Sequence, residues 1–191
     1  MLRKLGILLS LSALAFAAPV NAEPQQFDID KGHTFVTFKV SHIGFAWIPG
    51  GFTEFSGELA YDPENRANST VTFTVQVPSI DTWHAERDKH LQSEDFFAAS
   101  EYPTAKFVST AYEPTGENTA ILRGDLTIKD ITKPVEFAVT ELAAREDPWG
   151  NFRRGFEATT ELNLADFELD YAGPVPATAT VTVSLEATRA K

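Results

Sequence analysis

The chain has 191 residues and no cysteine. That excludes a disulfide framework and a thiol nucleophile, so the fold must stand on its hydrophobic core alone. Basic residues are scarce: 16 Lys and Arg face 27 Asp and Glu, giving a formal net charge of −11. A surface this acidic favours solubility and argues against nucleic acid or anionic lipid surfaces as partners. Histidine occurs only four times. There is no Gly-x-Ser-x-Gly elbow and no Gly-rich phosphate loop, and no carboxylate stands out in an apolar setting that suits a general acid. Beyond the N-terminus no run is apolar enough to cross a membrane.

What is present starts at the N-terminus. Arg3 and Lys4 precede an almost wholly apolar run over residues 5–18. Pro19 breaks it, and Val20-Asn21-Ala22 places small residues where signal peptidase cuts. This three-part pattern predicts a secretory signal peptide over residues 1–22, cleaved after Ala22. An uncleaved anchor would need roughly 20 apolar residues. Cleavage would leave one domain over residues 23–191, two charges more negative, in the periplasm.

Along the mature chain the apolar period is two. Val36, Phe38, Val40 and His42 share one face of a strand over residues 34–42, with Phe35 on the other. Val71, Phe73, Val75 and Val77 alternate with polar residues, as do Leu122, Leu126 and Ile128. So do Val135, Phe137 and Val139, then Phe156, Ala158, Thr160, Leu162 and Leu164, and finally Val181, Val183 and Leu185. With residues 52–61 and 104–112 this makes about eight half-buried antiparallel strands. Pro49-Gly50-Gly51, Asp62-Pro63-Glu64-Asn65, Pro114-Thr115-Gly116 and Gly173-Pro174 are turn material. Residues 82–100, rich in Ala, Glu, Gln, Lys and Leu, break the pattern and predict a helix capped by Asp81 or Thr82, covering one end. Eight strands close into a barrel or stack as a sandwich, and periodicity does not choose between them.

Ten short segments settle the choice by resemblance. They are Asp30-Lys31-Gly32-His33, Phe38-Lys39-Val40-Ser41-His42-Ile43-Gly44-Phe45, Gly51-Phe52-Thr53-Glu54-Phe55-Ser56-Gly57, Ile80-Asp81-Thr82 and Glu86-Arg87-Asp88-Lys89-His90-Leu91. Phe96-Phe97, Tyr102-Pro103, Gly124-Asp125-Leu126-Thr127-Ile128, Thr132-Lys133-Pro134-Val135 and Asp147-Pro148-Trp149-Gly150 follow. In this order they resemble the YceI family of bacterial polyisoprenoid-binding proteins. The resemblance implies an all-β, lipocalin-like, eight-stranded antiparallel barrel with an elongated apolar pocket, a periplasmic location and a homodimer. Two departures are visible: Leu164-Ala165-Asp166-Phe167 lacks the Arg many members carry there, and Pro174-Val175-Pro176-Ala177-Thr178 lacks an acidic residue.

A polyisoprenoid tail has no hydrogen-bonding group, so its site needs a long dry tube. The 15 phenylalanines of this chain can supply one. Phe38, Val40, Phe45, Trp47, Phe73, Val75, Phe107, Phe137 and Phe156 are the expected tube wall. His42, Trp83, Arg87, Asp88 and His90 are the expected mouth, where a phosphate or quinone head would meet Arg87 or His90. A tail of about 40 carbons, at roughly 0.3 kcal/mol per heavy atom, would bind near nanomolar relative to water. Relative to a bilayer the preference is small, which implies exchange with membranes through transient contact. Glu86 with His90, and His84 with Asp88, lie on different helix faces and lack the spacing of zinc hydrolases. No metal and no cofactor is therefore expected. The same tube would take a fatty acid or fatty amide. The rival from another class is a hydrolase or isomerase acting through Arg87, Asp88 and His90. Arg153 and Arg154 read as solvated or paired residues of a hairpin loop.

Overall fold

The computed structural model describes residues 23–169 and 176–189. Its strands are β1 (Gln25–Ile29), β2 (Phe35–His42), β3 (Ala46–Phe52), β4 (Phe55–Tyr61), β5 (Thr70–Gln76) and β6 (Ile80–Asp81), followed by β7 (Thr104–Pro114), β8 (Thr119–Ile128), β9 (Ile131–Glu146), β10 (Phe152–Asn163) and β11 (Thr178–Arg189). The one α-helix among the described residues is α1 (Ala85–Leu91), and single 3-10 turns occupy Arg66–Asn68, Val77–Ser79 and Leu164–Phe167. The expected signal segment and Gly173-Pro174 lie outside the described residues.

The pairings close on themselves. β11 pairs with β2 from Ala179↔Val40 to Ser184↔Phe35, and with β1 through Asp28↔Thr188 and Ile29↔Ala187. β1 pairs onward with β4 while β2 pairs with β3, and β4 pairs with β5 while β3 pairs with β6. β1 with β2, β3 with β4, and β5 with β6 are thus each one long strand interrupted once. With β7 to β11 they form eight staves in an antiparallel, closed, up-and-down barrel. Closure removes the free edges that template aggregation. At eight strands the interior is wide enough to be filled by side chains or to hold one ligand.

Most of the expected parity holds because inward and outward residues alternate on every stave. Burying a Phe or Leu contributes about 1.5–3 kcal/mol, enough to fix register wherever one face is dry. Four expectations need correction. Residues 52–61 are not one strand, since the chain breaks at Thr53-Glu54, where Glu54 N–H turns to Ser79 Oγ at 3.0 Å. Pro49-Gly50-Gly51 is not a turn but the body of β3, where Gly50 pairs with Phe38. A Cβ on Gly50 would sit 2.4 Å from the Phe38 ring, so this glycine makes room for an aromatic rather than for a reversal. The helix over residues 82–100 shrinks to Ala85–Leu91. Beyond it, tight turns such as Ala98 N–H to the Ser93 carbonyl (2.8 Å) tuck Phe96 and Phe97 against Val77, Ala99, Ala105, Ile128 and Phe167. The helix cap is His84, whose Nδ1 accepts from Arg87 N–H at 3.3 Å. Thr82 does not cap because its hydroxyl is bound to Asp88, and the Asp81 carboxylate accepts from Trp83 N–H at 2.7 Å. β1 was not expected at all; it is short and carries only Phe27 and Ile29 as apolar signal.

Candidate functional site

Inward positions of all eight staves surround one cavity of about 450 Å³. That volume falls in the range typical of small-molecule sites. Val36, Phe38 and Val40 come from β2, Ile48 and Phe52 from β3, Phe73 and Val75 from β5, and Phe107 from β7. Leu122 and Leu126, Phe137, Phe156 and Val183 add the walls of β8, β9, β10 and β11. The rings lock one another: Phe107 meets Phe137 edge-on at 5.3 Å, and Phe73 stacks on Phe55 at 5.4 Å. Apart from Thr37 on β2, the polar lining residues lie at the two ends, with Thr82, Arg87 and His90 at one and Tyr61, Ser69, Thr70 and Tyr112 at the other.

The structure brings Phe38, Val40, Phe73, Val75, Phe107, Phe137 and Phe156 together on the cavity, as expected from parity. Phe45 and Trp47 do not line it and are 85% and 62% exposed. The register explains why: Val40↔Ile48 and Val36↔Phe52 put even-numbered residues of β3 inside, because opposed residues share a face. His42 continues the inward parity of β2 but lies past the barrel rim, exposed. Trp83 points to solvent at 74% exposure, leaving the mouth to Thr82 and the helix. Asp88 is not on the cavity; its Oδ1 accepts from Thr82 N–H (2.9 Å) and Thr82 Oγ1 (2.5 Å). Arg87 does reach the cavity, tethered by Nε to Thr82 Oγ1 (2.7 Å) and by Nη2 to the Thr82 carbonyl (2.6 Å). His90 reaches it too, with Nε2 3.1 Å from Asp95 Oδ2 and its ring edge-on to Phe96.

Two polar clusters escaped the sequence reading. At the far end Glu141 is part-buried, its side chain 10% exposed, contrary to the expectation that no carboxylate has an apolar setting. It accepts from Tyr61 Oη (2.7 Å), Tyr112 Oη (2.5 Å) and Arg66 Nε (2.8 Å). Arg66 also donates to the carbonyls of Gly116, Glu117 and Thr119, which pins the β7–β8 loop across the barrel floor. The Arg154 guanidinium lies 3.9 Å from the Tyr61 ring centre, so Arg154 belongs to this floor rather than to a loop. Burial, and then the hydrogen bond to Glu141, push the Tyr61 phenol up to about 12 and move Tyr112 in the same direction. A signal existed: Val135, Phe137, Val139 and Glu141 share one parity, so the carboxylate continues an inward row.

Outside the wall, Arg153 joins segments distant in sequence. Its Nη1 bonds Asp30 Oδ2 (2.7 Å) and Glu186 Oε1, and its Nε bonds Asp147 Oδ2 (2.6 Å). Arg153 holds both aspartates low, at about 2. Asp30, His33 and Glu186 could by geometry offer metal ligands, but Arg153 already supplies the cation between the two carboxylates.

A closed eight-stranded barrel with an apolar, ligand-sized interior, floored at one end and covered at the other by α1 and the turns that follow it, is lipocalin-like in architecture. The chain belongs to the YceI-like domain family, whose match spans residues 27–188. It is 42% identical to a UPF0312 protein of Ectopseudomonas mendocina over 94% of this chain and 97% of that one. It is 39% identical to a UPF0312 protein of Photorhabdus laumondii over the full length of both. Among solved structures, Burkholderia cenocepacia BcnA superposes with TM-score 0.76 at 25% identity, covering 83% of this chain and 99% of BcnA. A polyisoprenoid-binding domain from Saccharophagus degradans, implicated in plant cell wall breakdown, shares the fold at TM-score 0.64 and 14% identity, covering 84% and 97%.

Proposed function

We propose that this protein is exported to the periplasm and there holds one long-chain isoprenoid lipid, of the quinone type, inside its barrel. It acts as a carrier or as a sequestering, stress-related buffer that exchanges its cargo with membranes. The observation that carries this reading is the cavity of about 450 Å³ walled by phenylalanine, leucine and valine. A hydrocarbon tail asks for that and nothing more. Membership of the YceI-like family and the likeness to a polyisoprenoid-binding domain support the ligand class. The tail enters at the α1 end, because the floor is cross-linked by Tyr61, Tyr112 and Glu141. The head then rests beside Arg87 and His90, the two cavity residues at the mouth that can donate to a carbonyl or phosphate oxygen. Binding rather than turnover is favoured because Asp88, the carboxylate an enzyme would need there, is engaged by Thr82. Native mass spectrometry on protein from its own periplasm, followed by organic extraction, tests this. An extracted mass in an isoprenoid series supports the proposal. Protein that arrives empty and ignores added quinones would refute it.

A further inference from the structure

The α1 end of the barrel carries apolar side chains that the cavity does not use. Ile43, Phe45 and Trp47 stand exposed on the hairpin between β2 and β3. Trp83 stands exposed just past β6, which pairs with the Gly51–Phe52 end of the same hairpin. The hairpin turn is tight, with Phe45 N–H donating to the His42 carbonyl at 2.9 Å. A Cβ built on Gly44 meets nothing within 4 Å, so the tip stands clear of the body. Ile43 and Trp83 both adopt left-handed backbone, at φ 53° and 59°. For a β-branched or bulky residue that conformation is strained, and strain of this kind gathers where function needs it. Here it holds large apolar groups out in water.

Charge marks the same stretch. The chain has 27 acidic residues, yet none falls between Lys31 and Thr53. The hairpin's own charge is Lys39, whose Nζ lies 5.0 Å from the Trp47 ring. The hairpin therefore brings no carboxylate of its own against phosphate head groups, whereas Trp83 has Asp81 beside it, the carboxylate held by the Trp83 N–H at 2.7 Å. Tryptophan and phenylalanine settle at the head-group level of bilayers, and a lysine stem can lie along the apolar layer with its amine in water.

We infer that the Ile43–Phe45–Trp47 hairpin, with Trp83 beside it, is a docking surface for a zwitterionic lipid bilayer, placed so that cargo passes between membrane and cavity through a shared mouth. This rests on the lipid-carrier reading above, and its test can fail separately. Residues 23–191 are floated with phosphatidylcholine–phosphatidylethanolamine vesicles. Wild type should float, and 0.5 M salt should change that little because one lysine contributes. The double variant Phe45→Ser, Trp47→Ser should partition about 100-fold less, and Trp83→Ser about tenfold less. Trp149→Ser, at an exposed tryptophan in the β9–β10 loop at the opposite end, should float like wild type. All four side chains are exposed, so melting temperatures should stay close to wild type. Flotation unchanged in the double variant, or equally lost in Trp149→Ser, would overturn the inference. So would wild type that stays with the soluble fraction as a dimer with Trp47 shielded, which would assign the surface to a second copy. Uptake of a detergent-dispersed isoprenoid quinone separates the two readings. Normal uptake by the double variant with lost flotation supports docking, whereas floating wild type that takes up no quinone overturns the carrier reading alone.

Discussion

At the floor of the barrel, Glu141 gathers two phenols and a guanidinium within 2.8 Å, and Arg66 reaches on to three loop carbonyls. At the mouth, Arg87 and Thr82 make a smaller knot, His90 and Asp95 are each about half exposed, and bulky apolar groups face water. The floor is cross-linked by charge-assisted hydrogen bonds in a desolvated setting, which are the strong ones. The mouth is held by a seven-residue helix and turns whose hydrogen bonds lie near solvent, which places it at the low-stability end of the molecule. The proposed lipid binding would use this asymmetry: one end fixed so that the tube stays closed, the other loose enough to admit a tail.

Removing Glu141 should break the asymmetry most severely. Glu141→Ala leaves two phenols without their acceptor and the part-buried Arg66 and Arg154 guanidiniums without their counter-charge, and should cost about 3–5 kcal/mol in urea denaturation. Gly50→Ala acts at the other end by forcing a methyl into the Phe38 ring, with an expected loss of about 1–3 kcal/mol and a narrowed entrance to the cavity. Equilibrium unfolding with a quinone-binding assay checks both effects. pH sharpens the contrast between floor and wall. The Tyr61 phenol is raised from 10.0 to about 12, so its contribution is present below pH 10 and lost as pH rises through 12. Tyr61→Phe should shrink the alkaline limb of the melting temperature and leave the part that Tyr112 carries. The depressed aspartates run oppositely. Asp30 and Asp147 fall from 3.8 to about 2, so their contribution is present above pH 4 and lost as pH drops through 2. Arg153→Met should flatten the acid limb seen in thermal melts. The smallest effect belongs to the mouth: Asp95→Asn loosens a half-exposed pair with His90 and should cost under about 1 kcal/mol by the same melts.

The signals that survived from sequence to structure are those carried by local alternation. Phe73, Phe107, Phe137 and Phe156 face the cavity because each sits in an alternating run whose polar partners leave one choice of face. Phe45 and Trp47 face water, against the expectation from strand parity, because the turn at Ile43-Gly44 resets which residues oppose one another, as the pairing Val40↔Ile48 shows. Pro49-Gly50-Gly51 looked like a reversal because glycine's need at Gly50 is a neighbour's ring, not its own backbone. The helix is shorter than the composition of residues 82–100 predicts because Phe96 and Phe97 gain more by packing on Val77, Ala105 and Phe167 than residues 92–100 gain from helix formation.

By itself the sequence determined an all-β chain of alternating strands, a phenylalanine-rich interior and an acidic surface, since each depends only on the identity of residues and their near neighbours. Tertiary structure alone decided the floor and the outer clamp. Glu141 meets Tyr61 and Arg66 across 80 and 75 residues, and Arg153 meets Asp30 across 123. Such partners are chosen when the sheet closes and brings distant staves together, and no local pattern records which carboxylate a guanidinium will find.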